Sequence, residues 1–146
     1  MTMCKVDFIS NLAFSFDQEI VIRFLKKYAE SEGFSISQIQ YNFVTQTAML
    51  KMNNHYLGHD NHTDIITFDY SAKKTINAEV YISNEMIKEN AKKFKQTVEN
   101  ETIRLISHAL FHCMGYSDKT DEGKKKMRSL EKSFINDVSR ETISNV

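Results

Sequence analysis

Apolar and polar positions along this chain follow two periods, and the switches between them divide it into strands and helices. Val6 to Ile9 is short and rich in β-formers and predicts a strand. From Asp17 to about Glu32 the period lengthens. Ile20, Val21, Phe24, Leu25 and Tyr28 recur at helical spacing on one face. Asp17 suits the N-cap of that helix, and Gly33 suits the position just past its end. Ile36 to Val44 returns to period two, with Ile39, Tyr41 and Phe43 on one side and Gln38, Gln40 and Asn42 on the other. A short helix starts at Thr45 or Thr47, runs through Tyr56 and stops at Gly58. Asp64 to Tyr70 predicts a strand, Ser71 to Thr75 a turn, and Glu79 to Ile82 the returning strand. Ser83 caps a helix that runs to about Lys95. Another helix spans from near Glu99 to Met114. A closing helix runs from Asp121 to Val138, with Met127, Leu130, Phe134 and Val138 as its apolar face.

This order places helices mainly on one side of a small mixed β-sheet, which is the α+β class. A chain of 146 residues can bury one core but not two, and no repeat, linker or low-complexity stretch divides it. Residues 1–146 are therefore expected to form a single domain. Nineteen basic residues balance nineteen acidic ones. That balance removes the global positive field on which many nucleic-acid binders rely, and leaves only local patches. Lys92, Lys93 and Lys95 with Lys73 and Lys74, and separately Lys124 to Lys126, are candidates for such patches. Charge runs are more often solvated helix faces. Phe and Tyr mostly fit core positions. Two cysteines, Cys4 and Cys113, with no CxxC pair, point to a reducing compartment, and Cys113 fits the core. The first residues do not read as a secretory leader, and no apolar window reaches the roughly 18 residues of a membrane span. A cytoplasmic protein without membrane attachment is expected.

The chemistry concentrates in His108-Ala-Leu-Phe-His112-Cys-Met-Gly115-Tyr-Ser-Asp118. Histidines four residues apart lie on one helical face, one turn apart. Gly115 allows the helix to stop, and Asp118 follows where the returning chain can face both imidazoles. Two His and one carboxylate form an open, catalytic type of metal site rather than a closed structural one. The spacing alone also fits a packed or exposed pair. His55 and His59 repeat it, but Gly58 between them and the polar surroundings, with His62 nearby, favour an exposed loop. In the protease pattern HExxH the residue after the first His is a general base. Here it is Ala109, which weakens a zincin-like peptide hydrolase as the reading.

The segment resembles the YbeY family of bacterial rRNA maturation factors, whose signature is His-Gly-x-Leu-His-Leu-x-Gly-Tyr-Asp-His. Two further blocks look similar. Met52-Asn-Asn-His-Tyr-Leu57-Gly-His-Asp-Asn-His62-Thr63-Asp64-Ile-Ile-Thr67-Phe68 follows the family's Leu-Asn-x-x-Tyr-Arg-Gly-x-Asp-x-Pro-Thr-Asp-Val-Leu-Ser-Phe. Ala78-Glu-Val-Tyr-Ile-Ser83 follows Gly-Asp-Ile-x-Ile-Ser. Met127 and Glu131 stand where the family's last helix has Met and Glu. The chain departs at Asp118, where the family has a third His, and at Leu57, where it has Arg. Ala109 for Gly and His62 for Pro are smaller changes.

The resemblance implies a zincin-like metal helix and a metal-dependent endoribonuclease. Its substrate would be single-stranded RNA, in particular the 3′ end of small-subunit rRNA, in ribosome maturation and quality control alongside ribosome-associated proteins. His108, His112 and Asp118 would hold one Zn²⁺, with Fe²⁺ or Mn²⁺ also suited to two nitrogens and one oxygen. Metal-held water would be the reactive group; no side chain is assigned as general base, and attack by water or by the RNA 2′-OH both remain open. Arg104, one turn before His108, would meet a phosphate or pair with Glu101 or Asp118. Thr63, Asp64 and Thr67 would line the cleft, with turn chemistry as the alternative for Thr63 and Asp64. The non-enzymatic alternative is a ribosome-associated binding factor with a structural metal.

Overall fold

The computed structural model describes residues 4–57 and 63–144, and its elements follow the predicted order. They are β1 (Lys5–Ile9), α1 (Gln18–Ser31), β2 (Ser35–Val44), α2 (Gln46–Leu57), β3 (Ile65–Asp69), β4 (Thr75–Ser83), α3 (Asn84–Lys93), α4 (Val98–Cys113) and α5 (Asp121–Ser144). The sheet has the order β1-β2-β4-β3. β1 and β4 flank β2 in parallel, and β3 returns antiparallel along β4, so the sheet is mixed as expected. The returning strand is longer than its pattern predicted. It begins at Thr75 because it must pair with β2 from Ser35 onward.

Register assigns the faces. Ile39, Tyr41 and Phe43 of β2 share a side with Ala78, Val80 and Ile82 of β4, and with Ile65 and Thr67 of β3. That side carries the main core. Phe8 stacks on Tyr41, with ring centroids 5.2 Å apart. On the opposite side Ile66 and Phe68 neighbour Tyr81 and Glu79. There Ile66 and Met49 of α2 are buried apart from the main core. α2 therefore covers part of the face that the sequence left to solvent.

α4 is the central helix. Ile103, Leu105, Ile106, Ala109, Leu110 and Phe111 are all buried, since sheet, α1, α3 and α5 surround it. The wholly buried Tyr41 hydroxyl donates to the Ile106 carbonyl at 2.8 Å, which satisfies a phenol that burial pushes well above its usual pKa. Caps act where the sequence placed them. Asp17 accepts from the Ile20 amide and Ser83 from the Met86 amide. Gly58, His59 and His62, and the side chains of His55 and Leu57, lie outside what the structure describes, so the loop expected there is not part of this description. Among the described residues, no helix is long and apolar enough to cross a membrane.

The closing helix runs six residues beyond the expected Val138. Its buried face also differs. Met127, Glu131, Phe134 and Val138 are buried, and Leu130 only partly. A carboxylate thus occupies a position of the apolar stripe.

Candidate metal centre

α4 carries one polar stripe through its apolar surface: Glu101, Arg104, His108 and His112, each about a turn from the next. Exposure rises along it. Glu101 is 0% exposed, Arg104 and His108 are half-buried, and His112 is exposed. The stripe opens into a cleft of about 360 Å³ lined by Thr63, Asp64, Thr67, Arg104, His108, His112 and Asp118, with Ile65 and Leu105. Every candidate site residue named from the sequence therefore faces this one cleft.

The end of α4 explains how Asp118 arrives there. Gly115, at φ +100°, turns the chain back. Its amide donates to the His112 carbonyl and that of Tyr116 to the Phe111 carbonyl, a Schellman motif. The Tyr116 ring then packs edge-on against Phe111, and its hydroxyl donates to Glu32. The reversal brings Asp118 Oδ2 to 3.7 Å from His108 Nε2. The start of α5 holds this turn closed. The Thr120 hydroxyl accepts from the Gly123 amide, and a Cβ on Gly123 would sit 2.2 Å from the Ser117 carbonyl oxygen. Gly123→Ala is therefore expected to cost about 1–3 kcal/mol by overpacking. It should also weaken metal binding, because Ser117 precedes Asp118. Urea unfolding and a metal titration read the two effects, and a variant matching the parent in both would show that the turn yields freely.

The first histidine is held from behind. His108 Nδ1 lies 2.7 Å from Glu131 Oε2. A carboxylate accepts, so Nδ1 is the donor to Glu131, and Nε2 is the ring atom turned toward Asp118. A carboxylate behind a ligating imidazole is a recurring support of metal sites.

Arg104 has a different surrounding from the one the sequence weighed. Its guanidinium is gripped by Glu101 through two bonds of 2.9 and 2.7 Å. Glu131 lies at 3.3 Å and Asp64 at 3.7 Å. Of the two carboxylates weighed as its partner, Glu101 pairs with it and Asp118 does not. Burial alone would lower the guanidinium pKa, but the hydrogen bonds and charges of Glu101 and Glu131 outweigh it and raise it. Glu101 is completed by Gln96 at 2.7 Å and Asn90 at 3.3 Å, and Asn90 also donates to Asp64. Asn90 and Gln96 escaped the sequence reading because single amides carry no pattern. Glu131 left a signal: it stands where the similar family's last helix has Glu.

Asp64, Glu101, Glu131 and Asp118 set four carboxylates against one guanidinium. With neutral imidazoles the cleft and its backing have a formal charge of −3. Among the described residues, no group of three or more His, Cys, Asp or Glu side chains is arranged to hold a metal ion as it stands. His108 and Asp118 approach each other, and His112 lines the same opening. Cys113 is not part of the site. Burial, and then the charge of Asp69, push its thiol up to about 12. Cys113 is expected to resist a thiol reagent at about pH 8 in the folded protein and to react once unfolded. Rapid native labelling of Cys113, read by mass spectrometry, would contradict this.

A family model described as endoribonuclease YbeY matches residues 10–139. The chain belongs to the YbeY family. Among curated relatives, the endoribonuclease YbeY of Cytophaga hutchinsonii is 39% identical over 112 residues, covering 76% of this chain and 78% of the relative. That of Flavobacterium psychrophilum is 43% identical, covering 69% and 72%. That of Christiangramia forsetii is 34% identical, covering 90% and 92%. The solution structure of TM1509 from Thermotoga maritima superposes with a TM-score of 0.66 at 22% identity, covering 98% of this chain and 93% of that one, and supports the fold. YbeY membership accounts for the three similar sequence blocks, two of which border the cleft.

Proposed function

We propose that the chain is a metal-dependent endoribonuclease that cleaves single-stranded RNA, with His108, His112 and Asp118 as the ligands of one ion. Family membership supports the reaction class. The observation that carries the metal is electrostatic: Asp64 and Asp118 outweigh Arg104 in the lining of the cleft, a formal charge of −1 that repels an RNA phosphate and that one divalent cation reverses. The donors fit such an ion in type. Glu131 fixes the proton of His108 on Nδ1 and frees Nε2. Two nitrogens and one carboxylate suit Zn²⁺, and also Fe²⁺ or Mn²⁺.

The bound ion would supply Lewis-acid activation of the phosphodiester and of water. The chain's own residues do the rest. Glu131 orients His108. Asp118, more than half exposed, is free to adjust toward the ion. Thr67 lies on the β3 wall, where its hydroxyl can position a ribose or phosphate oxygen, while the Thr63 hydroxyl donates to the Ile65 carbonyl at 3.2 Å and serves the turn into β3. Arg104 serves chiefly to neutralise the carboxylates behind the site. A peptide hydrolase is not favoured, because the general-base position is the buried Ala109. By the same reading the biological substrate is the 3′ end of small-subunit rRNA. The setting is the cytoplasm, with ribosome-associated proteins as partners.

The test is metal analysis of the purified protein, followed by cleavage of a labelled single-stranded RNA with and without chelator. We expect about one ion per chain, loss of cleavage on chelation, and recovery when Zn²⁺, Mn²⁺ or Fe²⁺ is restored. Unchanged cleavage by the metal-free protein would overturn the proposal.

A further inference from the structure

Beyond Arg104 the metal cleft continues into a second, larger groove of about 690 Å³ between α3, α4 and α5. The two share Asp64 and Arg104, so a strand leaving one enters the other. Their charge differs. The groove presents Lys93, Arg128 and Lys132, and among the described residues none of the three pairs with a carboxylate. The carboxylates that reach it, Asp64 and Glu131, are turned toward Arg104. The groove also holds an aromatic ring, where the sequence placed Phe and Tyr mostly in the core. Phe94, the C-cap of α3, is 58% exposed on its wall, with Lys93 Nζ 5.3 Å from its ring centroid. The amides of Asn100 and Asn136 complete the lining.

We infer that this groove binds the RNA strand next to the scissile bond, with a base stacked on Phe94 and backbone phosphates on Lys93, Arg128 and Lys132. The inference rests on the ribonuclease reading above and adds where the substrate's flanking nucleotides lie. A chain of zero net charge cannot hold RNA by a global field, and the metal cleft itself is acidic. Affinity must come from a local surface that joins cations to a stacking platform, the combination by which single strands are bound without sequence preference. The surface takes only Lys93 from the lysine clusters of the sequence and joins it to Arg128 and Lys132 of α5. Lys74 lies elsewhere, over the Phe34 ring at 4.1 Å. A ring more than half exposed at a helix end contributes little to folding, which leaves it available for a ligand.

The experiment measures binding of a fluorescent single-stranded oligonucleotide of about ten nucleotides to the metal-loaded protein, the length allowing several contacts. A 2′-O-methyl phosphorothioate backbone prevents cleavage. Phe94→Ala is expected to weaken binding about 5- to 150-fold, Phe94→Leu similarly, and Phe94→Tyr little. Joint replacement of Lys93, Arg128 and Lys132 by alanine should lower the slope of log affinity against log salt by about 2, near 0.7 per lost phosphate contact. Lys26→Ala, in a separate surface cleft beside Cys4, should leave affinity and slope in place. Circular dichroism and metal titration confirm that each variant is folded and loaded. Wild-type affinity in both groove variants, while the parent still cleaves RNA, would overturn the groove alone. Equal, Phe94-independent binding of polyglutamate would also overturn it, in favour of an acidic protein ligand. A parent that neither binds nor cleaves RNA would overturn the functional reading and the groove together.

Discussion

His108→Ala is expected to lose the metal and reduce RNA cleavage to the level of chelator-treated parent protein, while remaining folded. Among the three proposed ligands, His108 is the one held in orientation by the 2.7 Å contact of its Nδ1 with Glu131. Its removal takes away the nitrogen facing Asp118 and leaves Glu131 without one donor. Arg104 still lies 3.3 Å from that carboxylate, so it is not orphaned. The stability cost should be about 1–3 kcal/mol. The companion variant Glu131→Gln keeps the ligand but alters the support behind it, and should weaken metal affinity by about 10- to 100-fold. Metal titration, cleavage assays and thermal melting of both variants separate catalysis from scaffolding. If His108→Ala unfolds the protein, the ion is structural, and the binding-factor alternative takes over.

Arg104→Leu should produce the largest loss of stability of any single change near the site, about 3–5 kcal/mol. Glu101 is 0% exposed, and this guanidinium gives it two hydrogen bonds and its balancing charge. Without Arg104, Gln96 and Asn90 remain as donors but no charge balances the buried carboxylate. Glu131 loses a cation at the same time. That loss is large against the total stability of about 5–15 kcal/mol usual for a domain. Arg104→Lys should fall between, since an ammonium keeps the charge but not the two-pronged geometry. Adding Glu101→Gln to Arg104→Leu should recover part of the loss, because the two residues act as a pair. Urea unfolding should be run with chelator present, so that bound metal does not add to the stability of the folded state. A change below about 1 kcal/mol for Arg104→Leu would mean that solvent already reaches Glu101.

Much of the scaffold was legible because the information is local. The period of Ile20, Val21, Phe24 and Leu25 is enough for a helix, and all four are buried. Asp17, Ser83, Gly33 and Gly115 marked helix ends correctly, since capping depends on a few neighbouring backbone groups. The helix start after Thr97 was missed by a residue, where the Thr97 hydroxyl accepts from the Asn100 amide. The face of α5 was misjudged for a physical reason. Hydropathy excludes Glu131 from an apolar stripe, yet Arg104 and His108, distant in sequence, supply the partners that let it be buried. The same limit hid the exposed Phe94, because an aromatic residue at the edge of a helix looks like core until its neighbours are known.

Periodicity, capping chemistry and the His108–His112 spacing thus settled the elements, their order and the helix that carries the site. These depend on residues within a turn or two of one another. Sequence similarity across Met52 to Glu131 added the family. Convergence lay beyond local pattern. That Asp64 and Glu131 join Glu101 around Arg104, that Glu131 backs His108, and that Lys93 and Phe94 share a groove with Arg128 and Lys132 all follow from how α3 and α5 pack on α4 and α4 on β3. Such contacts join residues 20 or more positions apart in most cases, as Glu131 is from His108. Their existence depends on buried charges finding partners in the folded chain, which no single segment can specify.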